Sequence, residues 1–226
     1  MKNTGDGPFA PDGSPVELYR ILPPSGEPEL IHAAIPPGCT VLELGCGAGR
    51  VTHQLVALGH RAVAVDNSPQ MLAHVRGAET VCADIADLRL GRTFGAVVLG
   101  SHLVNVPIRA ERRLLLDTCA RHVEAEGVVL IQRLCPAAGW RPGARFEGRV
   151  GEVFISTLVL GVEGSVVSAA TTYECRGRSW LQEYRSEILD DASLVDALSA
   201  SRLALSRWLD PARHWLGAGL SRLRSP

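Results

Sequence analysis

The sequence predicts an α/β fold with a doubly wound, mostly parallel sheet. Short apolar runs alternate with helical patterns over the first 135 residues, which is typical of β-α-β units. A glycine-rich turn joins the first of these runs directly to a helical pattern. The apolar runs lack an alternation of apolar and polar residues, as expected for parallel strands that are covered on both faces.

The elements of this first part follow from the same patterns. Strands are predicted at 40–44, 61–66, 79–82, 95–100 and 127–133, and helices at 28–35, 48–58, 69–76 and 109–122. Ser68 is a candidate N-cap and Pro69 suits a first helical turn, whereas Gly59 ends the helix before them. The polar, proline-rich residues 1–26 are predicted to be loosely ordered.

The character of the chain changes after Cys135. Residues 136–149 are predicted to be loop, followed by strands at 153–160, 166–174 and 179–188. A helix is predicted at 190–200, and a hairpin of strands at 202–209 and 213–219 completes the main sheet. A chain of 226 residues can bury one sizeable core, so we expect one domain, residues 1–226, with a strand-rich insertion at 136–188.

Residues 41–50 carry the most informative motif, Val-Leu-Glu-Leu-Gly-Cys-Gly-Ala-Gly-Arg. Its glycines leave a loop bare enough for a ligand to lie against the backbone. Asp66 ends the next apolar run, about 20 residues later, where an acid can accept both hydroxyls of a ribose. With Glu43 before the loop and Asp84 just after the third run, three acids follow three successive strands. This arrangement indicates a site for an adenosine that carries no pyrophosphate.

The same residues argue against a dinucleotide. A dinucleotide-binding loop has its third glycine where this chain has Arg50. A pyrophosphate also needs bare amides without a nearby anion, and Glu43 would repel it. An ammonium and a sulfonium, both cationic, would instead be attracted by that carboxylate.

Together with Val65–Leu72, Ala83–Ile85 and Phe94–Ser101, the motif resembles the class I S-adenosylmethionine-dependent methyltransferases of the small-molecule type, over roughly residues 28–135. The resemblance implies a seven-stranded sheet with an antiparallel last strand, and S-adenosylmethionine as cofactor. The cofactor-binding residues that it implies are Tyr19, Glu43, Gly45, Cys46, Gly47, Gly49, Asp66, Asn67, Met71, Asp84, Ile85, Gly100 and Ser101.

The resemblance also implies a role for each part of this set. Glu43 and the 45–49 loop would hold the methionine part, and Asp66 the ribose. Met71 would cover an adenine face, while the Asp84 side chain and the Ile85 amide read the adenine edge. The floor near the sulfonium would be formed by residues 100–101. Tyr19 has two open interpretations, since it could cover the cofactor or only anchor the N-terminal segment.

His102 is the candidate catalytic base. It follows the fourth strand, where an α/β sheet binds its ligands, and an imidazole titrates near neutrality. The alternative is a histidine that caps a turn or packs against the adenosine. Methyl transfer depends mainly on alignment, and no His, Cys or acid cluster has metal-ligand spacing, so no metal is expected.

The insertion is expected to cover the acceptor. Its aromatic side chains could build a pocket for a small molecule, although aromatic residues also simply build sheet faces. They are Trp140, Phe146, Phe154, Tyr173, Trp180 and Tyr184.

The composition argues against nucleic acid and membranes as partners. The net charge is −1 and no basic stretch is present, which argues against nucleic acid. No signal-peptide pattern and no apolar run long enough to span a bilayer is present, so we expect a soluble cytoplasmic protein with no membrane partner. The six scattered cysteines are expected to be reduced thiols, and the oligomeric state stays open.

Two functions remain open from the sequence. The first is a methyltransferase that moves a methyl group from S-adenosylmethionine to a small-molecule acceptor, such as a biosynthetic intermediate. The second is a protein that uses the same sulfonium cofactor without methylating, as a regulatory pseudoenzyme, a cyclase or a lyase. The motifs describe only cofactor binding and cannot separate the two, but the compact size and the lack of a nucleic-acid footprint favour the methyltransferase.

Overall fold

The structure is a computed structural model that describes residues 3–135 and 139–221. Twelve strands and six α-helices are assigned in these ranges. The strands are β1 (Asn3–Gly5), β2 (Thr40–Leu44), β3 (Arg61–Asp66), β4 (Glu79–Cys82), β5 (Phe94–Leu99), β6 (Val123–Gln132), β7 (Arg145–Val150), β8 (Val153–Glu163), β9 (Val166–Cys175), β10 (Arg178–Glu187), β11 (Leu203–Trp208) and β12 (Trp215–Leu220). The helices are α1 (Val16–Ile21), α2 (Glu27–Ala34), α3 (Thr52–Ala57), α4 (Pro69–Leu72), α5 (Arg109–His122) and α6 (Asp191–Ala200).

The main sheet has seven strands in the order β11-β12-β6-β5-β2-β3-β4. The pairings β2–β3, β2–β5, β3–β4 and β5–β6 are parallel, while β12 runs antiparallel to both β6 and β11. The predicted fold class, including the antiparallel last strand, is confirmed.

The central strands are buried on both faces. Leu42 and Leu44 of β2 pack into the larger core cluster, whereas Val41 packs into a second cluster on the opposite face. In β5, Val97 packs into the larger cluster and Val98 into the second one. Because successive side chains of a strand point to opposite faces, burial on both sides explains the unbroken apolar runs.

Two predicted helices are shorter than expected. α3 begins at Thr52 rather than 48, because positive φ angles of 55° at Gly47 and 86° at Gly49 keep the loop out of the helix. α4 ends at Leu72 rather than 76. After it the backbone forms tighter three-residue hydrogen bonds, from His74 N to Met71 O and from Val75 N to Leu72 O. The expected cap is present, since Ser68 Oγ accepts from Met71 N at 3.2 Å.

A second, antiparallel sheet has the order β1-β10-β9-β8-β7. Its strands β8, β9 and β10 lie where the sequence predicted strands. The sequence analysis was wrong about β7, since residues 145–149 were expected to be loop but belong to a strand that pairs with β8. Glycine content hid this strand, and its pairing with β8 is a tertiary contact that no local pattern reports. Residues 136–138, where the predicted insertion begins, lie outside the described residues.

The expectation of a loosely ordered segment at 1–26 was also wrong for the part that the structure describes. β1 adds to the edge of β10, with Asn3 opposite Gln182 and Gly5 opposite Trp180. α1 buries Leu18 completely in a cluster with Trp180. The prolines limit local regularity, but the segment is ordered by contacts with strands that lie far away in the sequence.

In the described part of the chain, no helix combines the length and the apolar character that a membrane crossing needs.

Candidate cofactor and acceptor site

The glycine loop is fixed against the end of β3. The amides of Gly45 and Cys46 both donate to Val65 O, at 2.8 and 2.9 Å. Gly45 has φ 72°, and a Cβ there would lie 2.6 Å from Leu103 Cδ1. Only glycine adopts this conformation without strain, so the backbone can turn sharply at the carboxyl end of the sheet.

The rest of the loop is tightly packed except at Gly47. A Cβ at Gly49 would lie 2.8 Å from the His53 ring, and Cys46 is buried, which raises the pKa of its thiol. A Cβ at Gly47 would meet only the Tyr19 ring, at 3.8 Å. Gly47 is therefore the open position of the loop, and Tyr19 stands over it.

Asp66 ends β3 and holds the loop from the side. Its two carboxylate oxygens accept from Gly47 N and Ser68 N, both at 2.9 Å. The half-buried position raises the pKa of Asp66, and the two backbone bonds oppose that rise. Asn67 follows as an exposed residue whose carbonyl faces the Cys82 thiol.

Glu43 lies beneath the loop with 6% of its surface exposed. The Thr52 hydroxyl donates to its carboxylate. Burial raises the pKa of Glu43 to about 7, and the hydrogen bond from Thr52 and the nearby Arg50 only partly offset that rise. A cation bound beside this buried acid would favour its charged form and lower its pKa.

Glu43 opens into a pocket that also contains an ion pair. Arg50 Nη1 lies 2.6 Å from Glu27 Oε1, and both side chains are mostly buried. The pairing with Arg50 keeps the pKa of Glu27 below its ordinary value, although burial acts in the opposite direction. The pocket is lined by Glu27, Glu43, Leu44, Gly45, Arg50, Val51, Val98, Gly100, Ser101, Gln132 and Trp215.

The turn after β5 has an unusual backbone. Ser101 and His102 both have positive φ angles, 51° and 58°. Such angles are uncommon in residues other than glycine and store strain at functional sites. Ser101 N donates to Gln132 Oε1 at 2.8 Å, so a side chain from the neighbouring β6 holds the turn.

His102 does not titrate as the sequence analysis expected. Burial lowers its pKa to about 4, although the backbone carbonyl of Arg133 favours the charged form. The imidazole is therefore neutral at neutral pH. Its Nδ1 atom is buried and has no hydrogen-bond partner, which leaves one polar atom of the ring available.

The residues assigned to the adenine lie at the ends of β3 and β4. Met71 is 2% exposed and packs with Ala10, Val16 and Ala48, so the N-terminal segment covers it. Asp84 is exposed, and its Oδ1 accepts from Ala86 N at 2.9 Å.

Ile85 is half-buried against the main core, and its carbonyl accepts from Thr118 Oγ1 at 2.9 Å. Its backbone is thereby tied to helix α5.

The structure thus brings Glu43, Gly45, Gly100 and Ser101 to one pocket, and joins Gly47 to Asp66. Four polar or aromatic lining residues were missed by the sequence analysis: Glu27, Arg50, Gln132 and Trp215. Arg50 could have been found, because it follows the glycine loop directly. The other three come from distant segments and have no motif around them. In the described ranges, no group of three or more His, Cys, Asp or Glu side chains could hold a metal ion.

Comparison with known proteins agrees with this geometry. Residues 41–127 match a family described as a methyltransferase domain. A cypemycin N-terminal methyltransferase of Streptomyces is 30% identical over 149 residues, which cover 60% of this chain and 61% of that protein. An uncharacterized methyltransferase of Mycobacterium tuberculosis is 43% identical over 67 residues, 29% of this chain and 28% of that protein. The chain thus spans less than two thirds of the length of these curated relatives.

Two solved structures share the fold over most of both chains. The CcbJ methyltransferase from Streptomyces caelestis superposes with a TM-score of 0.74 at 21% identity, covering 92% of this chain and 96% of that one. The sugar N-methyltransferase KedS8 from Streptoalloteichus has a TM-score of 0.68 at 22% identity, with 88% of each chain covered. Residues 41–127 thus match a methyltransferase-domain family, and the chain shares its fold with these two methyltransferases.

Proposed function

We propose that this protein transfers a methyl group from S-adenosylmethionine to a small-molecule acceptor. The observation that carries the proposal is the glycine loop, which is open at Gly47 and at Gly45 lines a pocket together with the Glu43 carboxylate and the Arg50 guanidinium. The methionine part of the cofactor carries an ammonium and a carboxylate, so it needs one anionic and one cationic partner in the protein. Glu43 suits the ammonium and Arg50 the carboxylate, so the residues present fit this cofactor.

The remaining contacts support the same cofactor. The half-buried Asp66 carboxylate suits the ribose hydroxyls, and the exposed Asp84 suits the edge of the adenine. The fold alone is shared with structures of proteins bound to S-adenosylmethionine, such as the amino pentose methyltransferase CalS10. The similar proteins include a cypemycin N-terminal methyltransferase and a sugar N-methyltransferase, which supports a small-molecule acceptor from biosynthesis.

When bound, S-adenosylmethionine supplies a methyl group activated by a positively charged sulfur. The protein's own residues then have to align the acceptor and exclude water, which can remove about 7–11 kcal/mol of barrier. The Ser101–His102 turn, held by Gln132, lies where the acceptor has to approach. The neutral imidazole of His102 is the group that would accept a proton from the acceptor.

Calorimetry tests the cofactor. We expect binding of S-adenosylmethionine and S-adenosylhomocysteine, and none of NAD. Asp66→Ala should weaken binding about 10- to 150-fold, because hydrogen bonds to a charged acceptor contribute about 1.5–3 kcal/mol. The matched control is Asp117→Ala, which removes an exposed acid that pairs with Arg113. Tight NAD binding without heat from S-adenosylmethionine would contradict the proposal.

Activity is tested with a radiolabelled methyl donor and an extract of small metabolites. Label in a small-molecule fraction supports methyl transfer, and analysis of that fraction identifies the acceptor. Tight cofactor binding without any transfer would instead favour the non-methylating alternative.

A further inference from the structure

The antiparallel sheet has an inner face, which we define as the face that carries Tyr173 and Trp180. These two residues are directly opposite each other, and both pack in the cluster around Leu18 of α1. Directly opposite residues share a face, as do alternate residues of one strand. Thr171 and Tyr184 therefore lie on the inner face, as does Thr157, which is opposite Thr171.

Three hydroxyl groups meet in the middle of this face. The Oγ1 atoms of Thr157 and Thr171 are 2.8 Å apart. The Tyr184 phenol interacts with both threonines, and burial raises its pKa, so it stays protonated at neutral pH. We call Thr157, Thr171 and Tyr184 the hydroxyl cluster. A buried sheet face is usually filled by aliphatic side chains, so three adjoining hydroxyls need a reason.

Charge is divided sharply between the two faces. Glu174, Glu183 and Arg185 occupy outer positions, as the register requires. Within β7 to β10, residues 145–150, 153–163, 166–175 and 178–187, the inner positions around the hydroxyl cluster carry no charged side chain. Arg178 is the charged inner residue, and it lies at the far end of β10, within 3.2 Å of Asp6. The centre of the inner face is therefore polar but neutral.

The cluster lies between two contacts of the antiparallel sheet with the rest of the protein. On one side, Tyr173 interacts with the hydroxyl of Tyr19, whose ring stands over Gly47. On the other side, Asn105 Nδ2, in the turn after β5, donates to Glu187 O at 2.7 Å. Tyr184 lies on β10 between these two points of contact. The hydroxyl cluster thus lies on the inner face between the contact with Tyr19 and the contact with Asn105.

An aromatic ring borders the cluster. Phe146 of β7 is directly opposite Thr157 and is 38% exposed. Its ring packs against Trp140 with the centroids 4.9 Å apart. An exposed ring beside a few fixed polar groups is the usual composition of a small-molecule site.

We propose that the hydroxyl cluster and Phe146 form the acceptor-binding surface, and that the acceptor is an uncharged ring with several hydroxyl groups. The inference rests on the proposed function and names its substrate class. Threonine and tyrosine hydroxyls both donate and accept, so they match ring hydroxyls in either direction. A charged acceptor would lose its hydration on this neutral face without a partner. The ring faces of the ligand would lie against Phe146.

The test is a binding titration followed by NMR, with protein saturated with S-adenosylhomocysteine. The probes are methyl α-D-glucopyranoside, cyclohexanol as a ring with one hydroxyl, and glucuronate as a charged ring. We expect the pyranoside to bind with a Kd of about 1 mM and the other two at least about tenfold more weakly. Equal binding of pyranoside and cyclohexanol, or no binding of the pyranoside, would overturn the inference.

Variants then locate the surface. Thr171→Val and Tyr184→Phe remove one hydroxyl each at nearly constant volume, and each should weaken pyranoside binding about 5- to 10-fold. Thr172→Val is the matched control, because Thr172 is the next residue on the outer face and should bind the pyranoside like wild type. If Thr171→Val and Tyr184→Phe both match the control, the assignment is wrong.

Different results would disprove the proposed function and the acceptor-binding surface. Pyranoside binding that persists without any affinity for S-adenosylhomocysteine would disprove the proposed function and leave the ring-binding surface in place. Normal S-adenosylhomocysteine binding with no discrimination between the rings would disprove the surface alone. Circular dichroism melting of each variant shows whether a loss of binding comes from unfolding.

Discussion

At the scale of single residues, Glu43 is an acid held away from water. Its carboxyl is buried beneath the glycine loop, and its pKa of about 7 lies well above the ordinary 4.5. The folded protein therefore binds this proton more tightly than the unfolded chain. The contribution of Glu43 to the free energy of unfolding is full below about pH 4.5 and is lost as the pH rises through about 7.

Cofactor binding should favour the ionised form of Glu43 and so lower its pKa. A cationic ligand favours the ionised carboxylate, so we expect affinity for S-adenosylmethionine to fall about tenfold between pH 8 and pH 6, where Glu43 becomes protonated. Glu43→Gln should bind more weakly at pH 8 and lose this pH dependence. Calorimetry across the pH range measures both. An unchanged pH dependence in the variant would show that another group binds the proton.

His102 should act on the acceptor rather than on the cofactor. His102→Ala should keep cofactor affinity within about twofold and lower turnover about 100-fold, the lower end for a lost proton acceptor. Because its pKa is about 4, the wild-type rate should show no inflection near pH 6.5 that the variant lacks. The measurement is turnover against pH on the identified acceptor, with His74→Ala as control. Full turnover in His102→Ala would show that His102 is not a catalytic residue.

At the scale of elements, β1 shows how a short strand positions a functional side chain. It holds the start of the segment that carries Tyr19 to the Gly47 position. Gly5 has φ 145°, and a Cβ there would lie 2.4 Å from the Trp180 ring. The close contact between Gly5 and Trp180 is therefore what allows β1 to pair with β10.

Gly5→Val should detach β1. We expect a loss of about 1–3 kcal/mol in the free energy of unfolding, as for other overpacked sites, with weaker cofactor binding because Tyr19 is less well held. Urea denaturation and calorimetry measure the two effects. Gly148→Val is the control at the opposite edge of the sheet, where a Cβ would have open space. Equal stability of the two variants would show that the β1 contact contributes nothing.

At the scale of the whole molecule, one buried side chain connects the two sheets. Asn105 is fully buried, donates to Glu187 O of β10 at 2.7 Å, and accepts from Leu134 N, just after β6, at 2.8 Å. Arg112 reinforces the connection by donating to Val104 O and Val106 O and by pairing with the Glu187 carboxylate. The turn after β5 is thus held from both sheets.

Asn105→Ala should leave two backbone groups without their partner. We expect a loss of about 1–3 kcal/mol in the free energy of unfolding, the cost of an unsatisfied buried group. Urea denaturation measures it, with Asn67→Ala as the control because Asn67 is exposed. A loss equal to that of the control would mean that water replaces the amide and that the connection is not stabilising.

The sequence by itself determined the parallel sheet, the glycine loop, and the position of Glu43 and Asp66 in strands that end beside that loop. These features depend on neighbours along the chain: apolar runs define strands, and a turn at a strand end requires glycine. Only the tertiary structure decided the Glu27–Arg50 pair, the support of Ser101 by Gln132, and the pairing of β1 with β10. The partners in each pair are far apart in the sequence, so no local pattern reports them. The pKa of His102 belongs with this second group, because burial is set by residues that the chain brings together only on folding.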